Sequence, residues 1–125
     1  MQQLILIGLG GALGAITRYG VTVGATRVFG HGFPVGTLLV NVAGSFAMGV
    51  LIGWLASRSV GDQSLRLFFA TGFLGAFTTF SAFSLDFATL VERGQMVSAV
   101  SYAAVGVIAS IVALFIGLGI ARAVI

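Results

Sequence analysis

Cysteine is absent from this 125-residue chain, which excludes disulfides, thiolate metal sites and cysteine catalysis. Charge is scarce too: 7% of residues carry it, against about a quarter in a soluble domain. The acids are Asp62, Asp86 and Glu92 alone, all near the ends of apolar runs, so no carboxylate pair offers acid–base chemistry. The one histidine, His31, lies in a Gly/Pro turn with no second histidine, cysteine or nearby acid to complete a metal site. No Ser/His/Asp set presents itself either. These shortages argue against an enzyme. The net charge of +3 would suggest nucleic acid only if the arginines clustered on one face, and they do not. The N-terminal apolar run lacks a basic n-region and outlasts a typical h-region, so no removable signal peptide is expected.

Apolar residues make up 58% of the chain, with 19 glycines besides. A soluble domain of this length buries only about two-thirds of its surface, which would leave most of these side chains in water. A bilayer resolves the excess. A membrane helix takes about 20 apolar residues, and four stretches qualify: 4–28, 37–56, 67–90 and 97–120. The expected fold is an all-α membrane protein, one four-helix transmembrane domain over 1–125. With four spans, the N-terminus, the second loop and the C-terminus share one side, which carries Arg58, Arg66 and Arg122, while Arg27 and Arg93 lie on the other. Orientation follows that count, and here it is nearly balanced. Either one arginine decides a fixed topology, or the chain inserts both ways and pairs antiparallel with itself. Small-xxx-small spacings at Gly10/Gly14, Gly20/Gly24 and Gly49/Gly53 suit close helix approach.

The Gly8-Leu9-Gly10-Gly11 run fails as a dinucleotide loop, which needs a βαβ unit and an acid about 20 residues on. Polar groups inside the spans ask for more explanation, because they are costly in hydrocarbon. Arg18 lies well inside the first span; it either snorkels to the interface or draws anions into an aqueous vestibule. Thr37, Asn41 and Ser45 recur at four-residue spacing on one helical face, as helix-to-helix glue or as donors replacing water around an anion. In the third span Gly75-Ala76-Phe77-Thr78-Thr79 is a poor stretch for a continuous helix. A break near mid-membrane is expected there, and such breaks often mark ion sites. Phenylalanines at 73, 77, 80, 83 and 87 follow a helical stripe with Ser81 and Ser84 interleaved. Packing is the ordinary meaning, but a ring has a positive edge that can meet an anion. The last span adds Ser101, Tyr102 and Ser110, the latter two on one face.

Three segments together resemble the CrcB/Fluc fluoride channel family: Gly10-Gly11-Ala12-Leu13-Gly14-Ala15-Ile16-Thr17-Arg18-Tyr19, Gly36-Thr37-Leu38-Leu39-Val40-Asn41-Val42-Ala43-Gly44-Ser45-Phe46 and Gly72-Phe73-Leu74-Gly75-Ala76-Phe77-Thr78-Thr79-Phe80-Ser81-Ala82-Phe83. The resemblance covers essentially the whole chain, and the third segment is its most specific part. It implies an antiparallel, dual-topology homodimer in the bacterial inner membrane, with two fluoride pores along the subunit interfaces and passive efflux. It further implies Phe80 and Phe83 as pore-lining ring edges, Asn41 as the pore amide, hydroxyls of Thr37, Ser81, Tyr102 and Ser110 near the pathway, and Arg18 toward the vestibule. The carbonyls of Gly75 and Thr78 from both copies would hold a central structural sodium ion; no organic cofactor is implied. Two positions depart from relatives: Ala82 stands where many carry threonine, and Gly106 where some carry serine.

The chief alternative is a small dual-topology multidrug-type cation exporter, which needs a membrane-embedded acid. The first span has none and offers Arg18 instead, so the sequence favours anions. A helper subunit without transport of its own would leave the Phe/Ser stripe as packing.

Overall fold

The computed structural model describes residues 1–58 and 63–124; residues 59–62 of the expected second loop, Asp62 among them, lie outside this set. The described residues form helices α1 (Gln2–Phe29), α2 (Val35–Ala56), a turn α3 (Gln63–Leu65), a π-helical segment (Arg66–Leu74), a turn α4 (Gly75–Phe77), α5 (Phe80–Glu92) and α6 (Met96–Val124). Gln2–Phe29, Val35–Ala56, Gln63–Glu92 and Met96–Val124 are each long and apolar enough to cross a membrane. They run one to four residues beyond the expected spans at most ends. The 28 residues of α1 extend about 42 Å, which leaves room for tilt.

Local chemistry sets where the helices stop. Gly30 closes α1 at φ 79°, its N–H donating to the Thr26 carbonyl, and Pro34 precedes α2 where its missing N–H costs nothing. Gly94 closes α5 at φ 75°, with its N–H on the Val91 carbonyl and that of Gln95 on Leu90.

Lipid tails give no hydrophobic drive between helices, so packing has to come from close backbone approach. α2 packs most extensively on α6, and α1 on the π-helical segment. In the first seam, a Cβ on Gly49 would run into the Leu114 carbonyl and one on Gly117 into the Phe46 carbonyl. In the second, Gly10 and Gly14 receive the carbonyls of Phe68 and Phe73. Gly20 and Gly24 differ: among the described residues no other helix comes within 4 Å of a Cβ on either, so their spacing serves none of the helix contacts described. Leu9, Leu13 and Ile16 of α1 and Ile108, Ile111 and Phe115 of α6 stand exposed on the surface of the chain. The most buried side chains gather at the end near Pro34, where Tyr102, Leu90 and Ala99 are covered by Phe33, Leu38, Phe83, Phe87 and Val91.

Candidate functional site

Between α4 and α5 the chain leaves the helix. Thr78 (φ −84°, ψ 156°) and Thr79 (φ −153°, ψ 121°) are extended. A non-helical peptide at membrane depth must find partners within the protein, and Asn41 of α2 supplies them. The Thr79 N–H donates to Asn41 Oδ1 at 2.7 Å, and Asn41 Nδ2 donates to the Thr79 carbonyl at 3.0 Å. The Thr79 hydroxyl then accepts from the Ala82 N–H at 3.1 Å and caps α5. Thr78 turns its hydroxyl back onto the Leu74 carbonyl at 3.0 Å. Because Asn41 takes the Thr79 N–H, the Gly75 carbonyl four residues earlier loses its helical donor. Gly75 is exposed on the surface of the chain.

The residues around this interruption line two adjoining cavities, and a third adjoins the second. An open groove of about 250 Å³ is walled by Asn41, Ser45, Thr79, Phe80, Phe83 and Ser110. Beside it, a cavity of about 320 Å³ is lined by Arg18, Tyr19, Thr22, Thr37, Thr79, Ala82 and Asp86. A third, of about 180 Å³, opens among the 30–34 turn, Thr26, Thr89 and Arg93, and reaches inward to Thr22, Thr37 and Asp86. Thr79 therefore joins the first two, and Thr22, Thr37 and Asp86 join the last two.

Two buried polar atoms in these cavities have no hydrogen-bond partner among the described residues: Arg18 Nε and Ser110 Oγ. Leaving such groups unsatisfied costs roughly 1–3 kcal/mol each, so both suit a ligand or water. Phe80 is 77% exposed and turned out of the chain, with the Phe83 ring 5.6 Å from it, centroid to centroid. The expected stripe is divided by the interruption: Phe73 and Phe77 stack on each other at 5.9 Å before it, while Phe87 joins the buried cluster.

The structure thus brings Asn41, Phe80, Phe83 and Ser110 to one groove, and Arg18 and Thr37 to the cavity behind it. Ser81 is exposed and outside the groove lining, its hydroxyl 3.3 Å from that of Thr79. Tyr102 is fully buried and donates its hydroxyl to Asp86 Oδ2 at 3.1 Å, so that proton is already committed. Asp86 is the residue that sequence reasoning passed over. Its three-residue offset from Phe83 was the available signal, since it places both on one helical face.

Residues 5–118 match the family model described as CrcB-like protein, Camphor Resistance (CrcB). A fluoride-specific ion channel FluC from Mesorhizobium japonicum is 52% identical over 122 residues, covering 98% of both chains. A protein of the same name from Hyphomonas neptunium is 53% identical over 123 residues, 98% of this chain and 97% of its own. Another, from Caulobacter vibrioides, is 46% identical over 125 residues, 99% of this chain and 98% of its own.

Proposed function

The chain belongs to the CrcB family, and from that membership we propose that it is a fluoride-selective channel giving passive fluoride efflux. It is a multi-pass protein of the bacterial plasma membrane, and its family is one of ion channels rather than enzymes. One observation carries the reading furthest: Ser110, whose buried hydroxyl has no partner among the described residues, lines a groove walled by Asn41 and two phenylalanine rings.

The route follows the linked cavities. Arg18 supplies a fixed positive charge beside Thr37, drawing an anion in from the cavity that His31 and Arg93 line. Thr79 leads on to the groove, where Ser110 donates a hydrogen bond and the edges of Phe80 and Phe83 present positive potential. Asn41 holds the Thr79 peptide in place and keeps one amide hydrogen for the ion. Ser81 lies at the rim. Tyr102 acts through Asp86, fixing that carboxylate so that its charge does not swing into the path. Fluoride, small and a strong hydrogen-bond acceptor, gains most from such donors replacing its water.

Each groove is open on one side, and a second copy would close it. The proposed assembly is an antiparallel, dual-topology homodimer of single four-helix domains, with two pores and the interruptions of both copies near mid-membrane. The released Gly75 carbonyl fits a hard cation, and with Thr78 it would give two oxygen ligands per copy, four for a shared sodium ion. That ion would supply positive charge tying the two interruptions together.

Liposomes containing only the purified protein test the function. Rapid loss of internal fluoride with chloride retained is expected; retention of both ions, or equal loss, would overturn it. Labelling of both termini in cells is expected to find each on both sides of the membrane, and a single orientation would rule out the antiparallel pair.

A further inference from the structure

Tyr102, Gly106 and Ser110 follow at four-residue intervals on α6 and share one face. The Phe83 ring lies along that face. It stacks on Tyr102 with centroids 5.0 Å apart and planes 28° from parallel, and it meets Phe80 on another side. Gly106, between the two polar residues, is buried beneath it. A Cβ placed on Gly106 would come within 2.8 Å of Phe83 Cε2 and 3.4 Å of Cδ2. Carbon atoms in contact stay about 3.5–4.0 Å apart, so the ring fills the volume that any other side chain at 106 would take.

We propose that Gly106 is a positioning residue of the ion pathway, the seat that sets where and how the Phe83 ring stands between Tyr102 and Ser110. The proposal rests on the fluoride-channel reading and deepens it. A phenyl ring carries opposite potential on its edge and its face, so an anion is sensitive to ring orientation as a neutral solute is not. With one face on Tyr102 and the Cδ2–Cε2 edge on Gly106, the Phe83 ring cannot turn without leaving its stack. A serine at 106 would add a hydroxyl to the groove, but its Cβ would first push the ring off its seat. Glycine here is therefore more than a missing donor.

The test measures fluoride efflux from liposomes for the parent protein, Gly106→Ala, Gly106→Ser, Phe83→Leu and Phe83→Leu/Gly106→Ser, each confirmed helical and monodisperse. Gly106→Ala and Gly106→Ser are expected to lose about tenfold in rate, alike, because the Cβ and not the hydroxyl does the damage. In the Phe83→Leu background Gly106→Ser is expected to cause no further loss, since the ring it would displace is gone. Parental flux in Gly106→Ser, or the same loss in both backgrounds, would overturn the seat. If Phe83→Leu is itself silent, thermal unfolding of the same set in detergent decides. The melting temperature lost in Gly106→Ser is then expected to recover with Phe83→Leu, and an unrelieved loss overturns the proposal. Absence of fluoride flux from the parent protein would instead remove the channel reading beneath it.

Discussion

Asn41 and Thr79 are joined at both ends of one peptide unit: the Thr79 N–H reaches Asn41 Oδ1 at 2.7 Å, and Asn41 Nδ2 reaches the Thr79 carbonyl at 3.0 Å. The side chain of α2 thereby stands in for the helix that the third span gives up. Removing it leaves a peptide N–H and a carbonyl partly buried without partners. Asn41→Ala is expected to cost about 2 kcal/mol or more, read as a lower melting temperature in detergent, and to reduce fluoride flux. Stability equal to that of the parent would mean the interruption is held by other contacts.

The two rings that wall the groove are predicted to matter for the ion, Phe80 with little effect on the fold and Phe83 with some, since it also packs on the buried cluster. Phe80 is exposed, so Phe80→Ile loses little packing within the chain, yet it removes a positive edge. Phe80→Ile and Phe83→Ile are each expected to reduce fluoride flux at least tenfold, about 1.4 kcal/mol of barrier, with the protein still folded. Undiminished flux in both variants would remove the ring-edge mechanism.

The glycines separate into two classes. Gly49→Ala sets a Cβ against the Leu114 carbonyl in the α2–α6 seam and is expected to destabilise by about 1–3 kcal/mol. Gly24→Ala meets nothing within 4 Å and is expected to be neutral to slightly stabilising through helix propensity. Thermal unfolding compares them. Equal destabilisation would show that the Gly24 face approaches a helix of another copy.

The proposed central cation is tested by ion substitution. Exchanging sodium for N-methyl-D-glucamine during purification and assay is expected to lower both dimer content and fluoride flux, with recovery when sodium returns. Identical dimer content and flux in the two salts would remove the ion from the account.

The four spans were legible because hydrocarbon demands about 20 apolar residues whatever the neighbours. The stretch Gly75–Thr79 was legible as a poor helix former, and within it Thr78 and Thr79 are extended while Gly75–Phe77 are helical. Partnerships across helices were not. Four-residue spacing put Thr37, Asn41 and Ser45 on one face, but nothing in that spacing told that Asn41 would bind a peptide 38 residues away. The phenylalanine stripe assumed one unbroken helix, and the extended Thr78 and Thr79 rotate Phe80 and Phe83 out of register with Phe73 and Phe77. Asp86 looked like a span-end acid because its partner Tyr102 comes from another helix. Gly106 read as a lost hydroxyl, and only the ring above it reveals what the space is for.

The central claim is selective fluoride conduction, and current across a planar bilayer tests it most directly. With the purified protein between solutions that hold both ions in opposed fluoride and chloride gradients, the account predicts current carried by fluoride alone, reversing near the fluoride equilibrium potential. A reversal potential that follows the chloride gradient, or a bilayer that stays silent with folded protein inserted, would contradict it.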